Sequence, residues 1–303
     1  MKKHLLKLYG SIFLLNLIFI FFARDQFSPG QEKVIEKIGE PMEMKMETTS
    51  VIPLETASRK LVAKQDTYKI KKLDYKIVEV HNIKDLEKKE EGYFVYSNKG
   101  IDLSKLSGNA RKEAFVKLLL PSIEVVHKEI DLDKENIAVL SKKSAYTPEE
   151  KAYLEDLFAK YKVKFGNWKE LDDRLIKYPA SLILTQGAIE SAWGTSRFFK
   201  EGNNIFGMWA MSKKEPRIRS HEKRTDFTVY LRAYPDLKES VEDLVGVLSR
   251  VNVYSGLRKA VNEDKSPQYI ANYLIKYSEQ GREYVNKVQT VLRHNDFQRY
   301  DGE

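Results

Sequence analysis

Apolar side chains recur at three- and four-residue steps through most of the chain beyond about residue 104. The first such series is Phe115, Leu118, Leu119, Ile123, Val126 and Ile130. This spacing is that of one face of an α-helix, and Pro121 within it predicts a kink or a turn. Thr147 followed by Pro148 predicts the start of a second helix. Further helices are predicted over 171–175, 181–192, 239–250, 267–277 and 283–293. Because only 217–234 alternates like a β-hairpin, the pattern predicts a mostly α fold with one small β-lobe.

The N-terminus carries an export signal. Residues 1–4 are basic at three of four positions if His4 is counted, and residues 5–23 are nearly all apolar. The apolar run is long enough to cross a bilayer if Lys7 snorkels. The cleavage pattern is poor because two Phe residues precede Ala23. We therefore expect residues 1–23 to be a signal peptide or a membrane anchor, with the uncleaved anchor slightly favoured, and the chain to be exported to the periplasm or cell envelope.

Two further segments are predicted from the change in pattern after residue 23. Residues 24–103 are interpreted as a stalk followed by an irregular lead-in. The stalk has scattered charge and no lasting period, whereas the lead-in after residue 67 has a broken two-residue alternation at Tyr75, Ile77, Val78 and Val80. Residues 104–303 are interpreted as the folded catalytic domain.

Composition excludes several classes of chemistry. The 303 residues include no Cys, which excludes disulfides, thiolate catalysis and Cys-ligated metals. The five His show no paired ligand spacing, so neither a metal site nor a cofactor is predicted. The net charge of +8 suits an anionic polymer or a membrane surface. Nucleic acid is not predicted as a partner, because export places the domain where nucleic acid is scarce.

Glu190 is the strongest candidate for a catalytic residue. It lies in the apolar helix predicted over 181–192, three residues before Trp193. Apolar surroundings disfavour the charged carboxylate, raise its pKa and allow it to hold a proton near neutrality, as a general acid for glycosidic cleavage must. Gln186, one turn earlier, could hydrogen-bond this acid or a sugar. The alternative is an ordinary Glu at a solvated helix edge.

Several ordered motifs resemble the glucosaminidase domain family, glycoside hydrolase family 73. The family's A-x-x-E-S-x-W-G-x-S helix is matched around Glu190, with Gly187 in place of the first Ala, and its N-x-F-G turn is matched at 204–207. The LRAY segment at 231–234 and the YSEQGREYV segment at 277–285 are similar to later motifs, the last one as in the bacterial Bax protein subfamily. The resemblance covers roughly residues 104 to 300.

The resemblance implies a lysozyme-like, mostly helical α+β domain that cleaves peptidoglycan glycan strands at N-acetylglucosamine. It places the catalytic acid at Glu190 and a cleft-facing tyrosine at Tyr277. A second carboxylate on the β-lobe is implied in many family members. Here Glu222 is favoured, with Asp226 and Glu215 as alternatives, and Glu222 could equally be a solvated hairpin charge.

The predicted substrate-binding residues are Gln186, Trp193, Asn204, Phe206 and Tyr284. Two structural alternatives remain open: Asn204 could end a helix, and Trp193 could belong to the core rather than stack on a sugar. The function predicted is that of an endo-β-N-acetylglucosaminidase, without amidase activity. A lytic transglycosylase and a non-catalytic wall-binding protein on the same fold are the alternatives. The expected partners are peptidoglycan glycan strands and, through the N-terminal segment, a membrane; the oligomeric state is left open.

Overall fold

A computed structural model describes residues 67–224 and 227–302 of the chain. The predicted signal or anchor at 1–23 and the predicted stalk up to residue 66 lie outside the described residues. The α-helices are α1 (Gly108–Leu140), α2 (Pro148–Lys160), α3 (Trp168–Arg174), α4 (Ala180–Glu190), α5 (Arg197–Gly202), α6 (Leu237–Arg250), α7 (Ser255–Asn262), α8 (Pro267–Ile270) and α9 (Arg282–His294). The strands are β1 (Lys76–Val80), β2 (Phe94–Asn98), β3 (Arg217–Arg224) and β4 (Phe227–Arg232). The prediction of a mostly helical fold with a small β-hairpin is confirmed.

Helix α1 forms one wall of the main core. It runs for 33 residues and passes through Pro121 without ending. The side chains of Leu119 before the proline and Ser122 after it are buried, and the helix packs against α4 and α6. Tertiary packing on both sides of the proline outweighs the helix hydrogen bond that proline cannot donate. One of the two predicted outcomes, a turn at Pro121, is therefore wrong.

Helix α2 begins where the sequence predicts, at a capping box. The Thr147 hydroxyl accepts from the Glu150 backbone NH, and the Glu150 carboxylate accepts from the Thr147 NH. Glu150 is fully buried and also accepts from the Lys143 ammonium at 2.6 Å and from the Tyr68 backbone NH at 2.9 Å. The cap therefore fastens the beginning of the described chain to the helical domain.

The lead-in is more ordered than the sequence pattern indicates. Strands β1 and β2 pair in parallel, with Lys76 opposite Phe94, across a connection that contains a short 3-10 helix at Ile83–Glu87. Strand β2 packs on α1 and α6. Its Ser97 hydroxyl donates to the Pro235 carbonyl at 2.5 Å. Residues 67–103 are thus built into the helical domain, and the irregular lead-in predicted there is replaced by a small parallel sheet.

The predicted hairpin over 217–234 is present as the antiparallel pair β3–β4. Its register shifts between Arg219 and Lys223. A separate small apolar cluster lies beneath it, formed by Phe198, Val229 and Leu231. The hairpin therefore forms a lobe with its own core beside the helices.

The segment predicted as one helix over 267–277 is divided. Helix α8 stops at Ile270, and a 3-10 helix continues from Ala271 to Lys276. Tyr277 follows it and is buried. Among all the helices in the described part of the chain, none has both the length and the apolar character needed to span a membrane.

Candidate active site

Helix α4 places Glu190 at the meeting point of the core and the surface. Every residue from Ala180 to Ile189 is buried, and Glu190, the last residue of the helix, is only partly exposed. Burial of the whole helix fixes its axis, because any rotation would expose apolar surface. The carboxylate therefore projects from a rigid element, as a catalytic acid requires.

A sharp turn follows Glu190 and ends the helix. Ala192, Trp193 and Gly194 have φ angles of 50°, 58° and 72°, a left-handed conformation that is costly for residues with a Cβ. The Ser191 hydroxyl holds the turn by donating to the Gly187 carbonyl at 2.6 Å and accepting from the Gly194 NH at 2.8 Å. A Cβ at Gly194 would lie 2.7 Å from the Leu103 side chain, so only glycine fits there.

A chain of buried hydrogen bonds leads to the Glu190 carboxylate. The Tyr284 hydroxyl on α9 donates to Glu190 Oε1 at 2.8 Å. The Gln186 amide donates to the Tyr284 hydroxyl at 3.4 Å, and the Tyr178 hydroxyl donates to Gln186 Oε1 at 2.8 Å. Tyr277 stacks on Tyr284, with ring centroids 5.4 Å apart. The structure thus brings four predicted site residues together: Glu190, Gln186, Tyr277 and Tyr284.

The surroundings of Glu190 hold its proton. Burial raises the pKa of this carboxyl from 4.5 to about 7, while the Tyr284 hydrogen bond and the Lys287 charge lower it by less. Burial likewise raises the pKa of Tyr277 and of Tyr284 far above the ordinary value, so both phenols stay protonated. Near neutral pH the site therefore offers a carboxylic acid that is about half protonated and is oriented by a neutral phenol.

Three predicted substrate-binding side chains are buried, which leaves them structural roles. Gln186 and Phe206 are fully buried. The Asn204 amide donates to the Met208 and Arg232 carbonyls, both at 2.9 Å, which joins the 204–207 turn to β4. The predicted sugar contacts of Gln186, Phe206 and Asn204 are therefore not available in this structure. Tyr284 is buried as well and acts on the acid itself.

Trp193 lies at the rim of the site, partly exposed and packed against the core. Its ring meets Phe115 edge-on at 5.8 Å and Phe297 at 5.9 Å. The Lys112 ammonium sits 5.2 Å from its centroid. Trp193 therefore packs against the core while part of its ring stays accessible, and its stacking on a sugar stays a prediction.

The three candidates for a second carboxylate are placed differently. Glu215 accepts from the Arg232 guanidinium at 2.9 Å and from the Ser212 NH at 3.0 Å, so its carboxylate is already engaged. Glu222 belongs to β3, with its side chain outside the described part, and Asp226 lies outside the described residues altogether. Among the side chains that the structure describes, no carboxylate contacts Glu190.

Two features were missed by the sequence analysis: the part that Tyr178 plays beside Gln186, and the Asp243 partner of the LRAY segment. Tyr178 begins the hydrogen-bond chain, and its position just before Pro179 and α4 was the available signal. Arg232 and Tyr234 on the hairpin side both donate to the Asp243 carboxylate on α6. This cluster fixes the hairpin lobe to the helical domain. Within residues 67–224 and 227–302, no group of three or more His, Asp or Glu side chains could hold a metal ion.

Comparisons with known proteins agree with the motifs. Residues 168–297 match the model of the glucosaminidase family, described as mannosyl-glycoprotein endo-beta-N-acetylglucosaminidase. The chain is 29% identical over 207 residues to Protein bax of Escherichia coli (strain K12). The matched region covers 64% of this chain and 73% of Protein bax. The predicted resemblance is confirmed: residues 168–297 match the glucosaminidase family model, and Protein bax is a homologue of this chain.

Two solved structures are also similar to this chain. One is the catalytic domain of the autolysin Auto from Listeria monocytogenes, at 18% identity and a TM-score of 0.35, covering 56% of this chain and 97% of that one. The other is a C-terminally truncated glycoside hydrolase domain from Salmonella typhimurium FlgJ, at 22% identity and a TM-score of 0.33, covering 48% and 96%.

Proposed function

We propose that this chain is a peptidoglycan hydrolase that cleaves the glycan strand at N-acetylglucosamine, with Glu190 as the general acid. The observation that carries the proposal is the Glu190 carboxyl, whose pKa burial raises to about 7 at the end of a fully packed helix. The family match at 168–297 supports a glycosidase. Protonation of the bridging oxygen by such a group contributes typically about 10²–10⁴-fold to the rate.

The hydrogen bond from Tyr284 determines which oxygen of Glu190 acts. Tyr284 occupies Oε1, so Oε2 is the oxygen that we expect to carry the proton and give it to the leaving group. The chain through Gln186 to Tyr178 holds the phenol in this orientation. Such a fixed geometry avoids reorganisation at the moment of reaction.

For the second catalytic group we propose Glu222. Glu215 is paired with Arg232 and would have to break that ion pair to act on a water molecule. Glu222 lies on β3 of the hairpin lobe, where the resemblance implies a second carboxylate. Tyr277, stacked on Tyr284, is proposed to take part beside the acid.

The test is digestion of purified sacculi, followed by mass spectrometry of the released fragments. Reducing-end N-acetylglucosamine is expected. Anhydro-muramic ends would instead identify a lytic transglycosylase, and no release would identify a wall-binding protein. Glu190→Gln should lose at least about a hundredfold in rate while keeping its circular dichroism spectrum. A Glu190→Gln protein with more than about a tenth of the wild-type rate would defeat the assignment of the acid.

We also propose that the chain works in the cell envelope, attached to the membrane by residues 1–23. A substrate of this kind is found only outside the cytoplasmic membrane, and the apolar N-terminal run provides the export signal. Full-length protein should fractionate with membranes. Recovery only in the soluble fraction, with the segment through Ala23 removed, would refute the anchor and leave export intact.

A further inference from the structure

Lys287 stands beside the catalytic acid. It follows Tyr284 by three residues on α9, and residues with this spacing share one face of a helix with Cβ atoms about 5–6 Å apart. Tyr284 is the residue that hydrogen-bonds Glu190. The Lys287 side chain is partly exposed, as the Glu190 side chain is. The Lys287 charge is therefore close enough to act on the Glu190 carboxyl.

Some partly or fully buried cations of this protein are paired with carboxylates. Lys238 contacts Glu129 and Glu242, and Lys143 contacts Glu150. By contrast, no carboxylate in the described part of the chain pairs with Lys287. A half-buried ammonium without a partner is free to bind an anion from outside.

The position of Lys287 works against the acid in the free protein. Its positive charge lowers the pKa of Glu190 and so opposes the effect of burial. A bound anion would offset the ammonium charge and let Glu190 keep its proton in the complex.

We propose that Lys287 binds a carboxylate of the substrate next to the scissile bond. This inference rests on the proposed function and narrows its substrate class. The preferred strand carries acidic groups, such as muramic-acid lactyl or peptide-stem carboxylates, and a neutral polymer of N-acetylglucosamine is a poorer substrate. A lysine suits this role because its flexible stem and three donors can follow a carboxylate that varies in position.

The experiment compares glycan strands from sacculi in two forms, with free carboxylates and with carboxylates converted to methylamides. Wild type should prefer the free form through a lower KM. Lys287→Met should lose about fivefold or more of that preference, the effect of one partly screened ion pair. Lys287→Arg should retain it. The matched control is Arg293→Met, which removes an exposed charge from the same helix two turns away and should keep the preference.

The outcomes separate the two proposals. An equal loss of rate by Lys287→Met on both substrate forms would overturn the substrate contact. So would a shifted pH–rate profile of this variant with its preference for free carboxylates unchanged. In either case Lys287 would be a group that only changes the pKa of Glu190. Failure of the wild type to cleave either form would overturn the proposed function, and this inference with it. Because Lys287 makes no hydrogen bond to a described residue, Lys287→Met should melt as the wild type does, and Lys287→Gln provides a second, polar variant of the same test.

Discussion

At the scale of single residues, Glu190 shows how catalysis and stability oppose each other. The carboxyl still holds a proton that it can donate near neutrality only because its surroundings are poorly solvated. The same surroundings penalise its charged form, so the folded protein becomes less stable whenever Glu190 ionises. This cost depends on pH in a direction that can be derived.

The stability gained by Glu190→Gln should grow with pH. The folded pKa of about 7 lies above the ordinary value of 4.5, so bound proton stabilises the fold, and this contribution is lost as the pH rises from about 4.5 through 7. At about 1.4 kcal/mol per pKa unit the ceiling is about 3 kcal/mol, and contact of Glu190 with solvent reduces it. The measurement is denaturant unfolding of both proteins at pH 4, 6 and 8.

The value at pH 4 is the internal control, because at this pH Glu190 is mostly protonated in both the folded and the unfolded state. The two proteins should therefore differ least there. A constant difference between the proteins at all three pH values would contradict the raised pKa.

Tyr277 and Tyr284 should respond differently to loss of their hydroxyl groups. The Tyr277 hydroxyl is buried without a hydrogen-bond partner in the described structure, so Tyr277→Phe should leave the free energy of unfolding unchanged or raise it. Tyr284→Phe removes the donor to Glu190 and should cost about 1–2 kcal/mol. Urea unfolding of the two variants is the measurement.

Measurement of activity then shows whether the Tyr277 hydroxyl takes part in the reaction or whether Tyr277 only packs through its ring. If Tyr277 takes part in the reaction, Tyr277→Phe should lower the rate on sacculi in spite of its intact stability. A stable Tyr277→Phe protein with wild-type rate would show that only the ring matters.

The sequence predicted which residues lie together around Glu190 better than it predicted which of their side chains are buried. Glu190 stood out because a lone carboxylate interrupts an apolar helix, and this signal is local. Whether the Gln186, Asn204 and Phe206 side chains point toward a sugar or into the core depends on helix packing and on β4, which are distant in the sequence. No local pattern contains that information, so the motif residues were found and the solvent-facing ones were not separated from the buried ones.

At the scale of elements, the turn after α4 determines where the acid points. Three consecutive left-handed residues reverse the chain within one turn, and the Ser191 hydroxyl locks the reversal. Because Gly194 touches Leu103 of the lead-in and Phe115 of α1, the turn also joins three parts of the core.

Gly194→Ala should damage both stability and activity. The added methyl would meet the Leu103 side chain at 2.7 Å on a backbone with φ of 72°, so strain and overpacking together should cost about 2–5 kcal/mol. The matched control is Gly166→Ala, where φ is 86° but nothing lies within 4 Å. The control should lose only about 1–2 kcal/mol and keep its rate. Equal melting temperatures of the two variants would contradict the packing role of Gly194.

Element types were predicted well where a single period persists. The capped start of α2, the buried helix α4 and the antiparallel hairpin follow local patterns. The β1–β2 pair was missed because strands of five residues with mixed burial give only a broken alternation. Parallel pairing also depends on a partner beyond the intervening turn, and no hairpin signal marks it.

At the scale of the whole molecule, the lead-in is part of the domain. Val80, Ile101 and Leu103 lie in the main core with almost no exposed surface. The Asn98 backbone NH donates to Asn203 Oδ1 at 2.9 Å, which connects β2 to the end of α5. A boundary at residue 104 therefore cuts through packed side chains.

Truncation should distinguish a domain that begins at residue 67 from one that begins at residue 104. A chain that begins at residue 67 should fold and cleave sacculi, whereas one that begins at residue 104 should aggregate or melt far lower, because it exposes the surface that the lead-in covers. In the longer chain, Leu103→Ala should cost about 2–5 kcal/mol, as expected for a buried leucine. Thermal melts followed by circular dichroism provide the comparison. Identical melts of the two truncated chains would show that the lead-in contributes nothing.

The separation in sequence between hydrogen-bonded residues determines how late in folding their contacts can form. Tyr284 meets Glu190 across 94 residues, and Ser97 meets Pro235 across 138. Contacts of this range form late and slow the folding of a chain. Until α9 docks on α4, Glu190 lacks the hydrogen bond from Tyr284. Under the proposed function, a nascent chain, or one still crossing a membrane, would lack the Tyr284 hydrogen bond to Glu190 and remain inert, and activity would begin only when synthesis and folding had both finished.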